Sequence, residues 1–314
     1  MRKLKYSIGI ISAIIIILLI FYSIVILLSL KRGSVNINNS TDNTTDNYST
    51  DGQNQRELIV LFSLDGMGSD LITSETPYLF SLTQRSDSSS FLDMQTLKQS
   101  ETLPANLSML TGLTQEHHGL YTNNVDSNTS KLNQKTLFDY ASDEGFSYYA
   151  FFTKEKLLYI VGDKVGDNIL FLDGLSGDVI EDIDSLVETK NDKVFVFIHL
   201  RDIDTVGHSS GWGSFIQKQA LKSLDGNLEL LMTDFESEFS NYQRYFIFTA
   251  DHGGEGFQHA NGCVSCRRIP LIVISENAGL KYVLAHDTYN IYDVTCVVLD
   301  LMYVTDNKDL DCRQ

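Results

Sequence analysis

Leu58-Ile59-Val60-Leu61-Phe62-Ser63-Leu64-Asp65 is a near-continuous apolar run that stops on a carboxylate. Two later runs have the same form. Val194-Phe195-Val196-Phe197-Ile198-His199-Leu200 leads into Asp202 and Asp204, and Tyr245-Phe246-Ile247-Phe248-Thr249-Ala250 leads into Asp251-His252. Runs this short, apolar and rich in β-branched and aromatic residues read as strands buried on both faces. Helical stretches lie between them. Thr136 to Gly145 is one, and Ser214 to Phe239 is another, with Ile216, Leu221, Leu224, Leu228, Leu231 and Met232 at helical spacing. Alternating strands and helices predict an α/β fold, a mostly parallel sheet sandwiched by helices. Ligands of such sheets bind beyond the carboxyl ends of the strands, so the three acidic clusters are expected on one edge. A single Asp after a strand is as readily a turn or cap residue. Three such clusters, two carrying histidine, point to a shared site.

The types and spacing of these residues suit a metal. Asp204-x-x-x-His208 sets a carboxylate and an imidazole four apart, able to grip one ion. Asp251-His252 supplies two adjacent ligands, Gly253-Gly254 turns the chain, and His259 returns a third imidazole. Asp and His without Cys suit a catalytic zinc centre. Thr102, in Glu101-Thr102-Leu103-Pro104, precedes a helical stretch from Ala105 to Leu110. A hydroxyl at a helix N-terminus sits in a positive field that stabilises an alkoxide and the phosphate it attacks; it is also an ordinary N-cap. Asn123 and Asn124 could donate to a phosphoryl oxygen, or simply make a turn.

The 314 residues are 43% hydrophobic, and the formal net charge is −17. Residues 7–30 hold no charge and are long enough to cross a bilayer as a helix. They read as a signal anchor with a short cytoplasmic tail, residues 1–6, on the positive-inside balance of the flanks; a cleaved signal peptide is the alternative. Residues 31–55 are Asn/Ser/Thr/Asp-rich, with acceptor sequons at Asn38, Asn39, Asn43 and Asn47, and read as a disordered, glycosylated stalk. Residues 56–314 are then the catalytic domain, outside the cell or in the secretory lumen. Residues 1–32 hold five basic residues and no acid, which leaves −22 on the rest. That excludes nucleic-acid polymers as partners but not small phosphate esters, since bound metal inverts the local field. Cys263, Cys266, Cys296 and Cys312 suit an oxidising compartment; any of three pairings is possible, and Cys263-x-x-Cys266 alone lacks the second pair of a zinc finger.

Thr102-Leu103-Pro104-Ala105-Asn106-Leu107-Ser108-Met109-Leu110-Thr111-Gly112, His118-Gly119, Asn123, Asp202 to Ser214 and Asp251-His252-Gly253 together resemble the type I phosphodiesterase/nucleotide pyrophosphatase branch of the alkaline phosphatase superfamily, over roughly residues 58–275. The resemblance implies two zinc ions. One would take Asp204, His208 and His259, and the other Asp65, Asp251, His252 and the Thr102 oxygen. It implies Thr102 as nucleophile, a phospho-threonine intermediate and Asn123 on a phosphoryl oxygen. The implied function is a zinc-dependent phosphodiesterase or nucleotide pyrophosphatase acting on small phosphate diesters. Two departures open alternatives. Leu103 stands where nucleotide-hydrolysing members often carry an aromatic residue, and His259 follows His252 by only seven residues, as in smaller members such as phosphonate hydrolases and ethanolamine-phosphate transferases. Lys154 resembles a substrate-contacting lysine of the phosphonate hydrolases, although an exposed lysine is the simpler reading. A phosphomonoesterase, an ethanolamine-phosphate transferase, or a non-enzymatic binding protein on the same fold are the competing functions. No sulfatase-type Cys-x-Pro-x-Arg stands at the nucleophile.

Overall fold

The computed structural model describes residues 56–125, 132–164, 168–187, 191–260, 262–279, 281–305 and 309–313. The expected anchor at 7–30 and stalk at 31–55 lie outside these residues. Among the described residues no helix is long and apolar enough to cross a membrane.

The three apolar runs are strands. They are β1 (Glu57–Leu64), β5 (Lys193–Leu200) and β6 (Gln243–Thr249), and they are buried on both faces almost throughout. With β2 (Ser88–Gln95), β3 (Ser147–Phe152), β4 (Ile169–Phe171) and β7 (Arg268–Glu276) they form one seven-stranded sheet in the order β2-β7-β6-β1-β5-β3-β4. Strand β1 lies at the centre, parallel to β5 and β6, and β3 runs parallel to both β5 and β4. Only β7 and β2, at one edge, are antiparallel to their neighbours. A mostly parallel sheet is therefore what forms. The register pairs Ser63 with both His199 and Thr249, so the three acidic turns leave the sheet at one level.

Ten α-helices flank this sheet: α1 (Pro77–Leu82), α2 (Thr102–Thr111), α3 (Gln115–His118), α4 (Leu137–Asp143), α5 (Leu158–Val161), α6 (Ser176–Leu186), α7 (Asp202–Ser210), α8 (Phe215–Glu238), α9 (Val264–Arg267) and α10 (Asp293–Leu301), counted among the described residues. One group gathers α1, α6 and α7 on α8, and another sets α10 against α2 and α4. Helix α8 buries Leu221, Leu224, Leu228, Leu231 and Met232, as its periodicity predicts. Ile216 does not join them and stays exposed. Gln217 takes the inward place instead, because its Oε1 accepts from Gly213 N at 2.6 Å and its Nε2 donates to Ile203 O at 3.4 Å. Aromatic rings fill the layer under the site, with Phe62 stacked on Phe248 at 4.5 Å. Such rings carry the largest apolar burial per residue.

Two disulfides close local segments. Cys263 pairs with Cys266, and Cys296 with Cys312. The second holds Asp311 beside the C-terminus of α2. There Asp311 N donates to Gly112 O at 3.0 Å, and Thr114 N donates to the Asp311 carboxylate. Thr295 Oγ1, on α10, donates to Met109 O at 2.6 Å.

One glycine fixes how β1 meets α7. Gly66 has φ +81°, and a Cβ there would stand 2.8 Å from Asp204 N. Gly66→Ala therefore adds left-handed backbone strain of about 1–3 kcal/mol to a collision with rigid backbone. The expected outcome is a lower denaturation midpoint, read by urea titration; an unchanged midpoint contradicts this packing.

Candidate active site

The carboxyl ends of β1, β3, β5 and β6 deliver the polar side chains. Asp65 follows β1, Thr153 and Lys154 follow β3, Asp204 and His208 lie on α7 directly after β5, and Asp251 and His252 follow β6. Asp65 N donates to Leu200 O and Asp204 N to Asp65 O, at 2.9 and 3.0 Å, which locks the first two turns together. Asp251 Oδ1 accepts from both Gly66 N and its own neighbour His252 N. Behind His252 the chain must pass close to α9: a Cβ on Gly253 would stand 2.1 Å from Ser265 O, and Gly253 N donates to Cys266 O.

Three imidazoles are presented in the same way. The Nδ1 of His208 faces Phe257 O at 2.9 Å, that of His252 faces Gly253 O at 2.9 Å, and that of His259 faces Ser100 O at 2.7 Å. A carbonyl only accepts, so each Nδ1 carries the proton and each Nε2 offers a lone pair. Those lone pairs converge on carboxylate oxygens. Asp204 Oδ1 lies 3.3 Å from His208 Nε2 and 3.5 Å from His259 Nε2. His252 Nε2 lies 3.4 Å from Asp65 Oδ1, 3.6 Å from Asp251 Oδ2 and 3.3 Å from Thr102 Oγ1. All seven side chains expected from the sequence are thus brought together. Geometry also gathers Asp204, His252 and His259 as one candidate metal group, and Asp65, His199 and Asp251 as another.

The mixed carboxylate and imidazole donor set fits a borderline divalent cation such as zinc. Both oxygens of Asp65 and Oδ1 of Asp204 are buried with no well-aligned hydrogen bond, and unsatisfied buried carboxylate oxygens are costly unless a cation meets them. The electrostatics point the same way. Burial works to raise the Asp65 carboxyl, but Lys154 and the two nearby imidazoles outweigh it and hold that group well below the usual range. Burial and the charge of Asp65 push Asp251 up to about 8. Burial, with His252 beside it, lowers His259 to about 4. Without a cation between them, Asp204 favours a protonated His208, whose Nε2–H would donate to the carboxylate, and so moves the group upward.

Thr102 is the first residue of α2 and is 1% exposed. Its helix is tied to the carboxylates by Asn106, whose Nδ2 donates to Thr102 O at 2.9 Å and to Asp251 Oδ2 at 3.1 Å, and whose Oδ1 accepts from Ser63 Oγ. Asn106 is fully buried, so its acceptor sequon is closed to a glycan in the folded chain. Asn123 lies beside the start of this helix. Its Oδ1 accepts from Leu103 N at 2.8 Å and its backbone N donates to Glu101, which leaves Nδ2 as its donor.

One residue departs from its sequence reading, and others gain surroundings that the sequence left open. Lys154 is not an exposed lysine: its side chain is 16% exposed, and Nζ lies 2.6 Å from both Asp65 Oδ2 and Asp204 Oδ2. Asp202, next to the ligand pair in sequence, turns away and accepts from Ser176 N and Oγ at the start of α6. His118 is buried, held between Ser108 Oγ and Leu120 N, and lowered to about 4 by burial. Gly207 admits the Trp212 indole, whose Nε1 donates to Gly66 O. His199 was hidden inside its strand, and its one signal was a lone imidazole in an otherwise apolar run.

Known proteins share parts of this sequence and this fold. Glycosylphosphatidylinositol ethanolamine phosphate transferase 1 from Schizosaccharomyces pombe is 30% identical over 112 residues, and the human protein of that name is 33% identical over 93 residues. Those stretches cover 35% and 29% of this chain but only 12% and 10% of the relatives, so the match spans a small part of their length. Two solved structures share the fold. The C-terminal periplasmic domain of EptC from Escherichia coli, in complex with zinc, superposes with TM-score 0.60 at 15% identity, covering 80% of this chain and 83% of that one. Murine ectonucleotide pyrophosphatase/phosphodiesterase 5 superposes with TM-score 0.62 at 13% identity, covering 81% and 96%. The family model for type I phosphodiesterase/nucleotide pyrophosphatase matches residues 59–271, the span that carries Thr102 and every converging Asp and His, and the chain belongs to that family.

Proposed function

We propose that this chain is a two-metal phosphoryl-transfer enzyme that takes a small phosphodiester of the phosphoethanolamine class and passes the head group through Thr102. The observation that carries the reading is the Thr102 hydroxyl, 3.3 Å from His252 Nε2 at the meeting point of two Asp/His sets. Asp204, His208 and His259 would hold one zinc ion, and Asp65, Asp251, His252 and Thr102 the other. Cations bound there supply Lewis acidity to the phosphoryl oxygens and offset charge on the attacking and leaving oxygens.

The protein's own groups do the rest. Helix α2 aims its N-terminus at the phosphate, where the helix dipole favours negative charge. Asn106 fixes the nucleophile's turn against Asp251. Asn123 Nδ2 would donate to a phosphoryl oxygen. Thr102 Oγ attacks phosphorus and gives up its proton, the bond to the leaving alkoxide breaks, and the alcohol leaves with a proton. An acceptor hydroxyl, or water, then attacks the phospho-threonine, and Thr102 is regenerated.

The transferase side of the family is favoured by two features. Leu103, where a base-stacking ring would stand, is fully buried in this chain and offers no surface to a nucleobase. The curated relatives from Schizosaccharomyces pombe and human carry the name ethanolamine phosphate transferase. Hydrolysis of a nucleotide pyrophosphate, the activity in the family's description, is the second reading. We place the domain on the far side of a membrane, anchored through residues 7–30, a reading supported by two disulfides among the four cysteines.

Incubation with a phosphoethanolamine diester should leave a phosphoethanolamine adduct on the Thr102 peptide, read by mass spectrometry, and turnover should exceed that of a dinucleotide pyrophosphate. Faster pyrophosphate cleavage with no adduct would turn the assignment to a hydrolase. Thr102→Ala should lower turnover by roughly a thousandfold or more while the zinc content of the purified protein stays within one ion of wild type. Metal affinity should depend on pH with a definite sign. A ligand carboxylate binds only when ionised, so the proton on Asp251, which leaves at about pH 8, competes with the cation. Affinity should weaken by about tenfold per pH unit as pH falls below 8. Calorimetry in two buffers of different ionisation enthalpy should show proton release at pH 7; a pH-independent affinity between pH 6 and 8 counts against Asp251 as a ligand.

A further inference from the structure

We propose that His199 is a positioning residue: it donates Nε2–H to the outer oxygen of Asp65 and so turns the inner oxygen toward the metal. The inference rests on the two-metal reading. His199 is fully buried in β5, and its Nε2 lies 3.1 Å from Asp65 Oδ2, a hydrogen-bond distance whose angle falls short of full alignment. Lys154 Nζ meets the same Oδ2 at 2.6 Å. Neither Asp65 oxygen makes a well-aligned hydrogen bond, but the two have different neighbours: Oδ2 has the ammonium and the His199 ring, and Oδ1 faces His252 Nε2 at 3.4 Å. The two oxygens of one carboxylate are thus divided, with donors behind and the ligand set in front. Partners of this kind fix the orientation of metal-binding carboxylates.

The tautomer follows from the far side of the ring. Thr153 Oγ1 lies 3.1 Å from His199 Nδ1 and 3.2 Å from His199 O, and its single proton can serve either. If it served the carbonyl, Nδ1 would carry the imidazole proton, and the Nε2 lone pair would be pressed against a carboxylate oxygen. If it serves Nδ1, Nε2 carries the proton and donates to Asp65. The second arrangement replaces a repulsion by a charge-assisted hydrogen bond. It is opposite to the tautomer of His208, His252 and His259, whose Nδ1 protons are committed to carbonyls. Thr153 is itself held in place, because Arg201 Nη1 donates to Thr153 O at 2.9 Å. Four imidazoles stand around the same carboxylates; three offer lone pairs and the fourth offers a proton.

Amide replacements separate the two ring nitrogens. The Gln amide nitrogen stands where Nε2 stands, and the Asn amide nitrogen where Nδ1 stands. Zinc affinity of the full chain is measured by competition with a chromophoric chelator, beginning from metal-free protein. His199→Asn should loosen the weaker zinc by about tenfold to a hundredfold, and His199→Gln should stay within about threefold of wild type. Thr153→Val, which keeps the ring but frees its tautomer, should lose an intermediate amount, and it carries the test if His199→Asn does not fold. An Asn variant that folds and binds zinc as tightly as wild type overturns the positioning role alone. Cobalt(II) substitution supplies a second readout. A spectrum that loses a nitrogen ligand in His199→Gln makes His199 a direct ligand and overturns the proposal. A wild-type chain that binds no zinc overturns both this inference and the two-metal function.

Discussion

Three carboxylates, from Asp65, Asp204 and Asp251, are buried within reach of one another, and a single ammonium stands among them. Much of the architecture follows from keeping that arrangement together. The sheet must bring β1, β5 and β6 side by side, because only adjacent strand ends can set the three acids at one level. Lys154 offsets part of the charge by bridging Asp65 and Asp204, and Asp251 answers the remainder by holding its proton more tightly than a free carboxyl does. Backbone amides of Gly66 and His252 and the side chain of Asn106 spread what is left. A cluster with this many acceptors and so few donors is a standing invitation to a cation.

Much of this could be read in the residues, for a physical reason. Strands buried on both faces admit few polar groups, so the acids that end β1, β5 and β6 stood out against apolar text. Helices with one wet face keep a period, and α8 kept it except at Ile216, where the hydrogen-bonding capacity of Gln217 prevailed over hydrophobicity. What escaped was a matter of direction. Lys154 looked like surface because lysines mostly are, and only the folded sheet shows that β3 ends beside β5. Asp202 and Asp204 are two apart and read alike, yet on α7 they face different neighbours, one serving Ser176 and the other the imidazoles. His199 lay inside a strand whose other residues were explained by burial. The cysteine pairing was open among three possibilities, and it depends on which turns the fold brings near, which spacing does not encode.

The family frame and the local chemistry supply different parts of the account. Membership accounts for the sheet and for the span that holds Thr102 and the Asp/His cluster; the roles given to those side chains belong to the proposed function. Membership does not choose between water and an alcohol as the final acceptor, since both approach the same phosphorus. On the proposed reading that choice would be made around Thr102, where Leu103 turns inward and Asn123 is drawn onto the helix amide. The transferase and hydrolase readings therefore differ outside the ligand set that the family model spans.

The disulfide between Cys296 and Cys312 gives α2 an unusual dependency. The far end of the helix that starts with Thr102 is held by Asp311, which closes on Gly112 and Thr114 from a segment almost two hundred positions later. A protease that cut the chain between residues 304 and 309 would leave Asp311 tethered through sulfur, and the nucleophile helix would keep its anchor. The same nick under reducing conditions would release it. The resistance of this helix to wear is thus written in the redox state of a bond that touches neither Thr102 nor the Asp/His cluster.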